Sequence, residues 1–203
     1  MGTRNLTCVV VGGEYKVAQY GQWDGYPSGQ GSTILGFLSG KLNRDEFLAN
    51  LEKVFEPTED QIAEWWLEVG HDIKTGNGFV DCRISDAYGE KHPSLSRDTA
   101  GEILDLIQSS QDPVPVKLRT GFAGDSLFCE VAYVIDFDKN TFEVFKGFNK
   151  KPLGADDRFS FLQGEEKSNG YTPVKLLHSF DLLQLPTEEE FLAVCEPRDE
   201  DEE

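Results

Sequence analysis

The sequence predicts a layered α+β domain, antiparallel β-hairpins packed with helices, and three observations carry that reading. Two pairs of apolar, β-branched runs are each joined by a short turn, one near the start of the chain and one past its middle. Between them, apolar residues recur at helical spacing behind capping residues. No internal repeat or linker interrupts the chain, so one core is expected over residues 1–195.

The first hairpin is read from Leu6 to Val11, the turn Gly12-Gly13, and Glu14 to Tyr20, where Tyr15 and Val17 alternate with Glu14 and Lys16. Paired glycines accept the positive φ that a tight hairpin turn requires. The stretch from Gly21 to Gly31 then holds four glycines and a proline among Gln22, Trp23, Asp24 and Tyr26. That composition predicts an ordered loop without regular structure.

Ser32 is placed as the cap of a helix carrying Ile34, Leu35, Phe37 and Leu38 and stopped at Gly40. Asn43 opens a second, with Phe47, Leu48, Leu51 and Val54 on one face. Thr58 opens a third, with Ile62, Trp65, Trp66 and Val69 before Gly70. Helical neighbours diverge by ~100°, so of Trp65 and Trp66 one is expected in the core and the other partly exposed.

The segment between a Gly76-Asn77-Gly78 turn and Ser94 to Asp98 reads as loop-rich, followed by a helix from Thr99 to Ile107. Phe128 to Ile135 and Thr141 to Phe145 form the second hairpin. A polar surface loop from Gly164 to Gly170, an extended run from Val174 to Leu185, and a helix opened by Thr187-Glu188-Glu189-Glu190 complete the chain. Residues 196–203, with six carboxylates and one arginine, read as a disordered acidic tail.

Composition excludes several function classes. With 38% hydrophobic residues and 14 Phe, the chain has enough apolar surface to fold without metals or disulfides. A formal charge of −18 disfavours nucleic acid and anionic membrane surfaces as direct partners. No secretory signal or apolar run of ~18 residues is found, and the four cysteines are scattered, which points to reduced thiols in a cytoplasmic protein. Nothing sets an oligomeric state.

Several constellations have bland explanations. Asp136-Phe137-Asp138-Lys139-Asn140 opens like a calcium loop, but Thr141 and Gly147 stand where that loop needs Gly and Glu, so a hairpin turn is expected. His71, His92 and His178 are too far apart in sequence to suggest zinc, and no metal or cofactor is expected. Gly29-Gln30-Gly31 lacks the rest of either phosphate-binding glycine signature. Cys82 reads as a structural thiol in preference to a nucleophile served by His71 or His92.

Function is best sought in the segment from Gln22 to Gly31. An amide (Gln22), a carboxylate (Asp24), two aromatics (Trp23, Tyr26) and glycines that let backbone approach closely suit a small polar ligand or a protein partner. The competing reading is an Asp-Gly turn that carries the chain from sheet to helix.

Met1-Gly2-Thr3-Arg4, followed after the hairpin by Gln-Trp-Asp-Gly-Tyr-Pro-Ser-Gly, resembles a family of uncharacterised fungal, bacterial and phage proteins, a likeness that brings no activity with it. More distantly, the layout is similar to that of the N-terminal-nucleophile hydrolases, which implies a four-layer αββα sandwich and cleavage of amide bonds. In such enzymes the first side chain attacks while its own α-amine takes the proton. Removing Met1 exposes Gly2, which has no nucleophile, and further trimming frees Thr3. On that resemblance Thr3 is nucleophile and base, Asp24 orients the amine or substrate, and Arg4 binds a carboxylate.

Overall fold

The computed structural model describes residues 2–75, 80–164 and 170–196. Five strands form one sheet: β1 (Asn5–Val11), β2 (Glu14–Gly21), β3 (Val131–Asp136), β4 (Thr141–Lys146) and β5 (Lys175–Asp181), in the order β2-β1-β3-β4-β5. All neighbours run antiparallel except β1 and β3, which are parallel. Both expected hairpins are present. Gly12 and Gly13 take φ of 64° and 75°, the positive values that a tight turn needs.

Cover on both faces of the sheet explains the composition of β1. Leu6, Thr7, Cys8, Val9 and Val10 are all buried, with no alternation of polar and apolar residues, because a central strand is covered on both faces. The chain from β2 to β3 must cross over to make the parallel β1–β3 pairing, and this crossover contains five of the six α-helices among the described residues. They are α1 (Ser32–Gly36), α2 (Arg44–Leu51), α3 (Glu59–Glu68), α4 (Cys82–Lys91) and α5 (Ile103–Ser109); α6 (Glu188–Cys195) follows β5.

On one face of the sheet Val9, Tyr133, Ile135, Phe142 and Val144 pack against Ile34, Phe37, Phe47, Leu104, Ile107 and Phe191. Burying each large apolar side chain here contributes roughly 1.5–3 kcal/mol. On the other face Leu6, Cys8, Ala132, Val134 and Phe145 are covered by Ala123, Leu153, Phe159 and Val174, from irregular chain and short 3₁₀ turns. The class is therefore α+β, but the described residues form one sheet. The four-layer sandwich, which needs a second sheet, is not seen among them; loops take the place a second sheet would have.

Across that loop-covered face, Arg158 joins Asp136 at the end of β3 to Glu143 on β4, with Nη2 to Glu143 Oε1 at 2.8 Å. The three side chains are almost wholly buried. Burial alone lowers the Arg158 pKa, but its hydrogen bonds to the two carboxylates reverse that and raise it.

Three local expectations are corrected. The segment read as loop throughout is helical from Pro27: a wide π turn over Pro27–Gly31 leads into α1, and another over Phe37–Lys41 ends it. Ser32 therefore lies inside the run instead of capping it, and Tyr26 holds the cap position. Proline's fixed φ suits a first helical turn, while the glycines that argued against helix serve close packing. The segment read as loop-rich contains α4, whose polar face hides the helix and of which Tyr88 is the buried residue. Lastly, Trp65 and Trp66 are both half-buried. Trp66 stacks on Tyr88 at 3.8 Å and Trp65 on His92 at 4.6 Å, so α4 and its end cover both rings.

The caps at Asn43, Thr58 and Thr187 are as expected, the last two as reciprocal capping boxes. The Gly76-Asn77-Gly78 turn, the centre of the 164–170 loop and most of the acidic tail lie outside the described residues.

Candidate functional site

The Gln22–Gly31 segment folds back over the start of the chain and is tied to four separate elements. Gln22 N–H donates to Arg97 O at 3.0 Å, and Trp23 Nε1–H donates to Asp98 Oδ1 at 2.9 Å. Gly25 N–H donates to Thr3 O at 3.0 Å, and Asn5 Nδ2–H to Trp23 O at 3.2 Å. From the sheet, the buried hydroxyl of Tyr133 donates to Gly25 O at 2.9 Å. Gln30 N–H closes the loop onto Asp24 O at 2.8 Å, and Gln30 Oε1 accepts from Gly101 N–H at 2.9 Å.

Its glycines are there for contact. A Cβ on Gly29 would lie 2.2 Å from Asp24 O, and one on Gly25 2.7 Å from Thr3 O. Gly2 performs the same service outside the loop, since its Cβ would fall 2.1 Å from Trp23 Cε3. Asp24 is held at φ 52°, in the left-handed region that costs most side chains ~1–2 kcal/mol and that Asp and Asn tolerate best.

With its backbone fixed in this way, the segment turns Trp23, Asp24 and Tyr26 outward. Trp23 is 46% exposed and Tyr26 50%, and the Asp24 side chain is also exposed. Glu196, read from sequence as the start of the tail, instead accepts from Ser28 N–H at 2.9 Å, a carboxylate on the first helical turn.

The proposed site residues separate into two groups. Thr3 lies beside the loop but is only 5% exposed, with its carbonyl taken by Gly25. Arg4 points elsewhere, because side chains alternate along extended chain. Its guanidinium lies 4.7 Å from the Phe128 ring centroid and 3.7 Å from Glu130 Oε1, and the Arg4 backbone N–H donates to Glu130 Oε1. Gln22 is drawn inward as acceptor of the Tyr20 hydroxyl at 2.6 Å. Trp23, Asp24 and Tyr26 are thus the exposed set.

Sequence reasoning missed Asn5, Asp98, Gln30, Tyr133 and Glu196, which hold the loop. All but Gln30 lie outside the segment, and no local pattern announces such partners.

The other constellations resolve into structure. In the β3–β4 turn, Asp138 accepts from Gly12 N–H at 2.9 Å and Gly13 N–H at 2.8 Å, so it locks the first hairpin's turn. Those two bonds hold the Asp138 carboxyl below its usual range. Asp136 accepts from Asp138 and Lys139 N–H as well as from Arg158. Asn140, at φ 54°, accepts from Arg44. Cys8, Cys129 and Cys195 are buried thiols, while Cys82 is exposed. Cys82 lines an open cleft of about 790 Å³ with Trp66, Tyr88, Asp86, Arg97 and Asp98. His71 and His92 instead lie against Trp66 and Trp65.

No protein-family profile, curated protein or solved structure matches this chain.

Proposed function

We propose that this chain is a binding module whose recognition surface is the Gln22–Gly31 segment, presenting Trp23, Asp24 and Tyr26 to a protein partner. The observation that carries this reading is the pairing of two half-exposed aromatic rings with a backbone fixed from four sides. Aromatic anchors that lose little conformational entropy are what binding surfaces concentrate. Asp24 lies between them in sequence at a positive φ, and local strain of that kind gathers at functional positions.

The partner reading has more support than a small polar ligand. A small-molecule site is concave, and the cleft of about 790 Å³ is lined by Trp66, Tyr88 and Asp98, not by Trp23, Asp24 or Tyr26. The amide-hydrolase alternative asks Thr3 to meet a substrate, and it has less support still. Thr3 lies beneath the loop, and trimming would remove Gly2 from under the Trp23 ring.

A photo-crosslinking phenylalanine analogue at position 26 tests the proposal in the source cells, with the same analogue at the exposed Phe161 as control. A defined adduct from position 26, absent from position 161 and lost with Asp24→Asn, is expected. Equal capture at both positions, or capture indifferent to Asp24→Asn, overturns the proposal.

A further inference from the structure

A second feature stands apart from the exposed loop residues. A groove of about 160 Å³ runs along Gln19 and Tyr20 of β2, between the 94–97 segment and the 117–119 segment. Both walls are fastened to β2 or to the chain just after it. Gln19 Nε2–H donates to Ser96 O at 2.9 Å and Gln22 N–H to Arg97 O at 3.0 Å; opposite them, Arg119 N–H donates to Ala18 O at 2.9 Å.

These walls bring Arg97, Lys117 and Arg119 into one small groove of a chain whose net charge is −18. Lys117 and Arg119 both belong to the wall formed by the 117–119 segment. Among the described residues, Arg97 and Arg119 form no ion pair, while Lys117 reaches the largely exposed Glu59 at 3.4 Å. The nearby Glu56 carboxylate accepts from Leu118 N–H, and Asp98 is engaged by Trp23. Tyr20 also lines the groove, and burial raises its pKa while Arg4 and Arg97 oppose the rise.

We infer that this groove binds a small oxyanion, a phosphate or carboxylate group, between Arg97 and Arg119. Guanidinium groups match such oxygens in a two-pronged geometry, and a local cationic groove in an anionic protein concentrates small anions where the rest of the surface repels them. Its volume falls below that of a drug-sized pocket, so it takes a free anion or one anionic group of a larger molecule.

Calorimetric melting with sodium phosphate, with sodium citrate and with sodium chloride at matched ionic strength tests it. Chloride is essential, because any salt relieves self-repulsion in so acidic a chain. Phosphate or citrate at about five times its dissociation constant should raise Tm by roughly 2–4 °C over chloride. A rise with only one of them identifies the oxyanion class. Arg97→Ala and Arg119→Ala should abolish the rise and Arg119→Lys retain part of it, while Lys151→Ala and Asp24→Asn leave it intact. Equal effects of all three salts, or a full rise in both alanine variants, overturn the inference.

Discussion

The indole of Trp23 donates its Nε1–H to the carboxylate of Asp98 at 2.9 Å, across 75 residues of sequence, while its ring lies over Gly2. One side chain therefore joins the chain's start, the loop after the first hairpin, and the segment that follows α4. The indole remains 46% exposed, so the ring is positioned without being buried. Gly2→Ala places a methyl group where the ring now sits and should shift Trp23 fluorescence, with a stability loss of about 1–3 kcal/mol in denaturant melts.

The loop is anchored from below by Tyr133. Its hydroxyl donates to Gly25 O in the core, so Tyr133→Phe leaves a buried carbonyl without that donor. We expect a loss of about 1–3 kcal/mol, together with faster amide exchange at Gly25 through Gly31. Unchanged exchange would show that the loop is held without this bond.

Asp24 separates backbone from charge. Asn tolerates the left-handed conformation, so Asp24→Asn should be within ~0.5 kcal/mol of the parent, whereas Asp24→Val should cost about 1–2 kcal/mol. Chemical denaturation of the two variants checks the difference.

Arg158 stands between two carboxylates that are themselves buried, Asp136 and Glu143. Arg158→Leu leaves both without their cation and should destabilise by about 3–5 kcal/mol. A smaller loss would mean that water reaches the pair once the guanidinium is gone.

Alkaline pH should unfold the chain through its buried phenols and thiols. Burial pushes Tyr15 and Tyr88 up to about 12 and Cys195 up to about 11. In the unfolded chain a phenol ionises near ~10. Each folded pKa is thus raised, so the tyrosines' contribution is complete below about pH 10 and is lost as pH rises through about 12. Denaturation midpoints should fall over that interval, and Tyr88→Phe should lessen the fall.

Much of the fold was legible in the sequence because its signals are local. Gly12-Gly13 specifies a turn, Thr58 with Gln61 and Thr187 with Glu190 specify helix starts, and the runs before and after Asp138 specify strands. The parallel β1–β3 pairing was not legible, since it depends on a crossover longer than any sequence window. Helix α4 was hidden by its polar composition, and the π turn at Pro27 by glycines whose use is close packing. Of the candidate site, Trp23, Asp24 and Tyr26 were visible as residue types. That Thr3 is covered and Arg4 points away toward Phe128 follows only from how the extended start of the chain alternates its faces.

The central claim is that the outward face of the loop serves recognition and not folding. Calorimetry of the Asp24→Asn/Tyr26→Ala double variant tests it most directly. Substitutions at surface positions without a structural role cost at most ~0.5 kcal/mol, so Tm should stay within roughly 2 °C of the parent. A fall of more than roughly 4 °C would contradict the claim and make the segment a joint between sheet and helix.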